Sequence, residues 1–317
     1  MSGRAALETH APEAAAVLAR LEASIWPAAE SLGLSGLAGP LVTLVAGQHG
    51  LEAVGMPQAA AGSSTSEGGQ SASLAWGGSA AEDNAEAALR FAEQMSFDVA
   101  SLGDEFRAPF LAAFGAAAFP LAQIIYVADF APRIRHALDE LFGASDAAPA
   151  AQAGSEELGA VFEEWIHVVP QLTALDPVLT ELVRLRGAGH HECRLCQSVR
   201  YLPALRAGAR DELLDGAIRS AAIGSTPAQT AALQFADELL ATPGRLSPEV
   251  LSAVEAHFAP EAQVELVLDI ARNATNKLAV AFAADTPRVE SGFEICEADA
   301  DGTLHYGLPD PRGSGRE

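Results

Sequence analysis

The sequence has few cysteines, few aromatic residues and few basic residues. Only 3 of its 317 residues are cysteine, which excludes the disulfide framework typical of small secreted proteins. Aromatic residues make up 6%, so the core must be built mainly from aliphatic side chains. The 19 basic residues are outnumbered by 42 acidic ones, and a net charge of −23 repels nucleic acid and anionic membranes. Neither is therefore expected as a partner.

Several kinds of segment are also missing. No apolar signal segment follows Arg4, and the cysteine usage suits a reducing compartment, so we expect a cytoplasmic protein. The longest apolar run, Phe110–Ala128, favours a buried helix pair broken at Pro120 over a membrane span. No glycine-rich phosphate loop follows a strand, so no flavin, nicotinamide or haem cofactor is expected.

Helix-forming residues dominate what is present. Apolar residues make up 49% of the chain, which is rich in Ala and Leu, the best helix formers. Four helices are predicted to begin with a proline, at Pro177, Pro227, Pro248 and Pro260. The first of these should stop at Gly187–Gly189, and Gly292–Gly307 could form a hairpin around Asp301-Gly302. The pattern predicts an all-α protein.

The two halves of the chain resemble each other. Gln123–Ala131 matches Gln263–Ala271 at a spacing of 140 residues. Two earlier segments match in the same order, Leu41–Val45 with Leu182–Arg186 and Phe91–Met95 with Phe235–Leu239. The Gly/Ser/Ala-rich stretch Gln58–Ala87 is predicted to be a mobile loop. The predicted organisation is a helical domain at 1–143, a linker at 144–156, a second helical domain at 157–290 and a C-terminal extension at 291–317.

The reactive residues are concentrated in the second half, at Cys193-Arg194-Leu195-Cys196. A glycine-rich turn should lead into a new helix there, with both cysteines on one face. The free N–H groups and the positive end of the helix dipole would then stabilise a thiolate. This pattern predicts a redox-active pair. A zinc site that includes His190 and His191, or two inert thiols, are the alternatives.

A carboxylate, Glu181, lies twelve residues before Cys193 on the preceding predicted helix. If that helix packs beside the cysteines, the carboxylate can accept a thiol proton and pass it on. The alternative is an ordinary ion pair with Arg184, three residues later. Glu181 is therefore a candidate catalytic residue for which a second interpretation stays open.

The combination of Glu181, Cys193 and Cys196 resembles the AhpD-like branch of the carboxymuconolactone decarboxylase superfamily. The motif of that family is Glu, eleven residues, Cys-x-x-Cys, three residues and His. The segment Asn273–Ala279 also looks like the family's terminal helix. The resemblance covers residues 160–285 well and the first half more faintly, since that half has no cysteine. It implies an AhpD-like helical bundle, here as two tandem related domains with a degenerate first copy, and a homo-oligomer.

The resemblance also implies an alkylhydroperoxidase-like enzyme, either a thiol peroxidase or a disulfide oxidoreductase. Cys196 would attack the peroxide, Cys193 would resolve the resulting sulfenic acid as a disulfide, and Glu181 would help move protons. A dithiol protein of lipoyl or thioredoxin type would reduce the pair again. Decarboxylase-type acid–base chemistry and a non-catalytic redox-sensing or interaction protein are the alternative functions.

One position departs from the family motif. Where the family has His, this sequence has Arg200, which stays protonated and cannot relay a proton. We hypothesise that Arg200 holds the Cys196 thiolate by charge, while His190 or His191 takes over proton transfer. The alternative is that Arg200 is a surface charge and that both histidines are turn residues without a role.

The remaining polar candidates are expected to be structural. Asn273 and Asn276 lie at helical spacing and should make packing hydrogen bonds. Cys296 lies far from the pair in the sequence and is expected to be a bystander. Asp129 and Asp269 occur at matching positions in both halves, although only one half carries the thiol pair.

Overall fold

The computed structural model describes residues 1–53, 79–145, 156–219, 224–299 and 303–313. These residues are mostly helical, with one small sheet of three strands. The all-α prediction is therefore confirmed for most of the described chain, and the sheet is an addition to it.

The first half surrounds one long buried helix. Its helices are α1 (Gly3–His10), α2 (Pro12–Ser31), α3 (Ser35–Gln48), α4 (Ser79–Phe97), α5 (Asp104–Phe114) and α6 (Ala118–Phe142), with 3₁₀ turns at Val99–Ser101 and Gly115–Ala117. Every side chain of α6 from Leu121 to Ile134 is buried. A helix that is covered on all sides belongs to the interior, and α1, α2 and α3 pack against it.

Two predictions about the first half are wrong. The apolar run breaks at Gly115 and not at Pro120. Gly115 directly follows α5 and has a φ of +49°. Pro120 is in the first turn of α6, where the helix needs no N–H donor. The prediction of a loop at Gln58–Ala87 is wrong from Ser79 onward. α4 begins there, and its first turns contain the good helix formers Ala and Glu. The earlier part of that loop lies outside the described residues.

The segment Asp104–Phe142, which spans α5 and α6, is the one described stretch that is long and apolar enough to cross a membrane. About half of its most apolar window is buried inside the protein. The core helix of a soluble protein meets the same criteria of length and composition. The segment is therefore weak evidence for a membrane span.

Among the described residues, the second half contains more helices than the first, most of them shorter. They are α7 (Leu158–Val168), α8 (Pro177–His190), α9 (Arg194–Gln197), α10 (Leu202–Arg206), α11 (Asp211–Ile218), α12 (Pro227–Ala241), α13 (Pro248–His257), α14 (Pro260–Asn273) and α15 (Asn276–Ala281), with a 3₁₀ turn at Val169–Gln171. The four predicted proline starts are confirmed as the first residues of α8, α12, α13 and α14. Asp176 caps α8, and Thr226 caps α12 together with Gln229.

The end of α8 differs from the prediction. The helix continues through Gly187–Gly189 to His190. Gly189 is required by packing, because a Cβ atom there would clash with the carbonyl oxygen of Ile218 at the end of α11. This glycine marks a close contact between two helices and does not mark a helix end.

The small sheet joins the site segment to the C-terminal part of the chain. Its strands are β1 (Val199–Tyr201), β2 (Glu294–Ala298) and β3 (Leu304–Tyr306), in that order. β1 and β2 are parallel, and β2 and β3 are antiparallel, which confirms the predicted hairpin. The central Asp301-Gly302 of that hairpin lies outside the described residues. β1 was not predicted, because three residues are too few for alternation to show.

The larger hydrophobic core draws buried side chains from both halves of the chain. Tyr126 of α6 illustrates this, since its hydroxyl donates to the carbonyl of Ala271 in α14 and accepts from Trp165 Nε1 in α7. A smaller core lies between α8, α10, α11 and β2. The division into domains at 1–143 and 157–290 stays a prediction.

Candidate thiol site

A strained turn leads from α8 to the cysteines. The N–H of Cys193 donates to the carbonyl of Ala188 at 3.0 Å, and Glu192 has a φ of +52°. This is the hydrogen-bond pattern of a Schellman helix end, in which glycine usually takes the left-handed position. Glu192 therefore holds an unfavourable backbone conformation directly before the pair, and Cys193 becomes the N-cap of α9.

The helix that follows Cys193 is much shorter than predicted. α9 contains four residues, because the chain enters β1 at Val199. The expected stabilisation of a thiolate by a helix dipole is therefore wrong, since a single turn aligns few peptide dipoles. Locally, the N–H of Cys196 donates to Sγ of Cys193 at 3.3 Å.

The two sulfurs are bonded to each other. Cys193 and Cys196 form a disulfide with their Cα atoms 5.3 Å apart, which confirms the predicted proximity. Cys193 is fully buried, whereas Cys196 is partly exposed. A reagent from solution would therefore meet Cys196 first.

Glu181 is connected to the cysteine segment through Arg184. Glu181 is fully buried on α8, and its carboxylate accepts from Arg184 Nε at 2.6 Å and Nη2 at 2.8 Å. Arg184 also donates to the carbonyl of Cys196 at 2.9 Å and to that of Val199 at 2.7 Å. The N–H of Tyr201 donates to Glu181 at 3.1 Å. The ion pair left open by the sequence is present, and it fixes the backbone on the C-terminal side of Cys196.

Burial lowers the pKa of Arg184, but the charge and hydrogen bonds of Glu181 outweigh burial and raise this pKa above its ordinary value. The guanidinium is therefore a permanent cation beneath the cysteine segment. Its partner Glu181 is a charge-balancing carboxylate in this geometry.

The predicted contact between Arg200 and the Cys196 sulfur is wrong. Among described residues, the guanidinium of Arg200 donates to Asp215 at 2.8 Å and to the carbonyls of Gln197 and Val199 at 2.7 and 3.0 Å. Arg200 lies on a strand, not one helical turn beyond Cys196, and its guanidinium stacks on Phe293. The surface-charge alternative is also wrong, because Arg200 is buried.

The two histidines occupy the end of α8 in different environments. His191 is buried, and its Nδ1 lies 2.7 Å from Oδ1 of Asn276. Burial, followed by the charge of Lys277, lowers the pKa of His190 to about 4 and holds that of His191 well below its usual range. Both rings are therefore neutral near pH 7. No group of three described His, Cys, Asp or Glu residues could hold a metal ion, so the zinc alternative gains no support.

The sequence analysis missed Asp285 and Lys277. Asp285 accepts from the backbone N–H of Arg194 at 2.9 Å and from its guanidinium at 2.7 Å. The carbonyl of Asp285 also accepts from the N–H of Leu195, so the loop after α15 holds the cysteine segment in place. The hydrogen bonds from Arg194 lower the pKa of Asp285. Asp285 lies 91 residues from Arg194, and no local pattern marks the pairing.

Lys277 follows Asn276 on α15 and is also buried. Its Nζ donates to Asp129 at 2.7 Å and to the carbonyl of Ser96 at 2.9 Å. Burial lowers the pKa of Lys277 to about 8, even though Asp129 favours the charged form. The packing hydrogen bond expected of Asn276 is confirmed by its contact with His191.

Cys296 lies nearer to the site than its sequence position indicated. It is buried on β2, where it pairs with Tyr201 of β1. Burial raises the pKa of the Cys296 thiol to about 11, so this thiol stays protonated near pH 7. A protonated buried thiol agrees with the expected bystander role.

Two relatives from Mycobacterium tuberculosis, the uncharacterized proteins MT2376 and Rv2313c, are each 38% identical to this chain over 234 residues. The match covers 71% of this chain and 82% of each relative. The chain therefore belongs to the family of these two proteins. No family model matches the chain, and no solved structure matches it.

Proposed function

We propose that this protein is a thiol-dependent oxidoreductase that reduces hydroperoxides or disulfides with Cys193 and Cys196. The observation that carries the proposal is the bonded pair in which one sulfur is buried and the other is reachable from solution. The proposed scaffold is AhpD-like, with two related helical halves. That finer assignment rests on the Glu181 and cysteine motif of the sequence.

The proposed reaction needs both sulfurs in sequence. The thiolate of Cys196 attacks the terminal oxygen of the hydroperoxide, the O–O bond breaks, and the alkoxide leaves as an alcohol after it takes up a proton. Cys196 is then a sulfenic acid. Cys193 attacks this sulfur, the S–O bond breaks, and the hydroxyl leaves as water. The two protons of the dithiol end on the alcohol and the water, and two electrons have reduced the peroxide.

Reduction of the disulfide would begin at Cys196, because an external thiolate cannot reach the buried sulfur of Cys193. A dithiol protein of lipoyl or thioredoxin type fits this step, and a homo-oligomer remains part of the proposal. Glu181 would act through Arg184, which holds the carbonyl of Cys196. It is thus proposed as a positioning residue, and the direct proton transfer expected from the sequence is given up.

The proposal is tested by adding cumene hydroperoxide to the reduced protein and counting the thiols that remain. We expect two thiols to be lost per peroxide consumed, and no loss in Cys196→Ser. Cys193→Ser should stop at a sulfenic acid that dimedone traps. The matched control is Cys296→Ser, which should behave as the unchanged protein because that thiol is buried and protonated. The proposal is contradicted if no thiols are lost, or if the Cys196→Ser protein loses thiols as well.

A redox sensor is the second candidate, and one observation favours it. β1 begins three residues after Cys196 and pairs with β2 from the C-terminal segment, so a change at the pair could reach the sheet. The test is whether a lipoyl or thioredoxin-type protein supports repeated peroxide reduction. If the thiols are lost but neither reductant gives turnover, then the protein is a sensor and the proposed enzyme is rejected.

A further inference from the structure

We propose that Asp285 is a positioning residue that holds the segment between the two cysteines in its closed conformation and so favours the disulfide over the dithiol. It acts on the backbone N–H of Arg194, and not through its ion pair with the Arg194 guanidinium. This inference rests on the thiol function proposed above and deepens it, because it names a residue that sets the redox equilibrium of the pair.

Asp285 contacts both residues that separate the cysteines. One carboxylate oxygen, Oδ2, accepts from the backbone N–H of Arg194 at 2.9 Å, and the backbone carbonyl accepts from the N–H of Leu195 at 2.9 Å. These are two of the N–H groups that the first turn of a helix leaves without a partner inside the helix. A residue 91 positions away from Arg194 in the sequence therefore caps the turn that carries the pair.

The ion pair between Asp285 and Arg194 is open to solvent at the arginine end. The side chain of Arg194 is 59% exposed, whereas that of Asp285 is 5% exposed. The guanidinium donates to Asp285 from Nη2 at 2.7 Å and from Nε at 3.1 Å, and water can replace these bonds on the arginine side. An exposed ion pair contributes little, so we assign the effect to the hydrogen bond between the backbone and the buried carboxylate.

Two unfavourable backbone conformations lie on either side of this contact. Among the described residues, Glu192 and Ala283 are the two that are not glycine and have a positive φ, at +52° and +53°. Glu192 directly precedes Cys193, and Ala283 lies two residues before Asp285, just after α15. Residues with a side chain rarely adopt this conformation, and it persists where the surrounding structure requires it. The chain is therefore strained in both segments that meet at the contact.

The helix before Asp285 is fixed to the first half of the chain. Near the start of α15, Lys277 donates to Asp129 of α6 at 2.7 Å. At the end of α15, the carbonyl of Ala281 accepts from Arg107 Nε of α5 at 2.7 Å. Residues supported by a fixed element position their partners more precisely than residues on a free loop. Asp285 therefore connects the cysteine segment to a fixed helix.

The effect on the redox equilibrium follows from the order of the segment. In the disulfide, the bond between Cys193 and Cys196 already restricts the segment, so the contact with Asp285 forms at little further cost in conformational entropy. In the dithiol this restriction is absent, and the contact must order the segment by itself. The contact is therefore stronger in the disulfide, and by linkage it favours the disulfide to the same extent.

The test measures the equilibrium between the full-length protein and a glutathione redox buffer. The disulfide bond of oxidised glutathione breaks as the bond between Cys193 and Cys196 forms. Two electrons pass from the cysteines to glutathione, and the two thiol protons end on two glutathione molecules. Alkylation of the remaining thiols followed by mass spectrometry gives the oxidised fraction. A protein that consumes no hydroperoxide but whose equilibrium depends on Asp285 would reject the proposed peroxide reduction and keep this inference.

We expect Asp285→Ala to lower the equilibrium constant for disulfide formation roughly 10-fold, as for loss of a hydrogen bond to a charged group. Asp285→Asn keeps an oxygen that accepts from the backbone N–H and should retain most of the original value. Arg194→Gln is the matched control, since it removes the guanidinium but keeps the backbone N–H, and it should stay close to the unchanged protein. The proposal is overturned if the constant is unchanged in Asp285→Ala, or if it falls as far in Arg194→Gln or in Asp285→Asn.

Urea unfolding separates this role from a purely structural one. The disulfide form and the dithiol form of each protein are unfolded separately. Asp285→Ala should lower the urea midpoint of the disulfide form more than that of the dithiol form, because the contact is stronger in the disulfide. Equal falls in both forms would show that Asp285 only supports the fold, and would overturn the proposal.

Discussion

Asp129 and Asp269 take the same position in the two repeated segments, but their surroundings differ. Both carboxylates are buried. The carboxylate of Asp129 accepts hydrogen bonds from Arg133 at 2.8 Å and from Lys277 at 2.7 Å. One oxygen of Asp269, Oδ2, has no hydrogen-bond partner among the described residues. Burial raises the pKa of both groups, but Arg133 and Lys277 bring that of Asp129 far below its usual range. Burial and the charge of Glu265 raise that of Asp269 to about 8.

The repeat spacing shows how this difference arises. At the same spacing of 140 residues, the counterpart of Arg133 is Asn273, and the counterpart of Lys277 is Ala137. Both cations that surround Asp129 are therefore absent at the corresponding positions near Asp269. The charge of Arg272 lowers the pKa of Asp269, but burial and the charge of Glu265 outweigh it, so this carboxyl keeps its proton. The partners, and not the position in the fold, determine the charge of each aspartate.

The cations around Asp129 also connect the two halves of the chain. Arg133 of the first half donates to the carbonyls of Leu239 and Leu240 at the end of α12. Lys277 of the second half donates to Asp129 and to the carbonyl of Ser96. Arg133 Nη2 lies 2.6 Å from Nε2 of His49 and can only donate, so Nε2 of His49 accepts. The 3.3 Å contact between His49 and Asp129 is therefore not an ion pair.

The largest expected effect is the loss of the paired carboxylate. Asp129→Ala leaves Arg133 and Lys277 as buried cations without their counter-ion. Breaking one side of a buried ion pair costs about 3–5 kcal/mol, so the free energy of unfolding in urea should fall by that amount. Glu164→Ala is the control, because it removes an exposed partner of Arg20 and should leave the urea midpoint nearly unchanged. A tolerated Asp129→Ala would mean that the two halves do not depend on this cluster.

The sequence predicted features that neighbouring residues determine. The helix starts at Pro177 and Pro227 need only a capping side chain and a proline, and both are adjacent in the sequence. The closeness of Cys193 and Cys196 follows from their three-residue spacing. Helix content follows in the same way from the abundance of Ala and Leu.

Features that depend on distant residues were predicted wrongly or not at all. Gly189 was predicted as part of a helix stop, but it is needed because α11 packs closely against it. Arg200 faces Asp215 and Phe293, and the short strand that turns it away exists only because β2 pairs with it. The missing hydrogen-bond partner of Asp269 Oδ2 was equally invisible, since the sequence does not show which side chains approach a buried carboxyl.

The second expected effect concerns the unpaired carboxylate and has a defined sign. The pKa of Asp269 is about 8 in the folded state and near 4 when unfolded, so the folded state holds the extra proton between these values. The stability contributed by this group is fully present below about pH 4 and is lost as the pH rises through 8. Asp269→Asn should remove this dependence and be a few kcal/mol more stable than the unchanged protein at pH 8. Urea midpoints at pH 4, 6 and 8 measure the difference. Parallel pH dependence in both proteins would show that Asp269 ionises as easily as Asp129.

The smallest expected effect comes from giving Asp269 a cation at the position where Asp129 has one. Asn273→Arg places a guanidinium four residues after Asp269, at the spacing that Arg133 has from Asp129. A nearby cation favours the ionised carboxyl, so the pKa of Asp269 should fall and the stability lost between pH 4 and 8 should shrink by about 1.4 kcal/mol per pKa unit. Asn273→Gln is the matched control, since it adds length without charge and should keep the original pH dependence. If the arginine variant follows the glutamine variant at every pH, then a cation four residues along the same helix is not enough. In that case the decisive partner of Asp129 is Lys277, which reaches it from the other half of the chain.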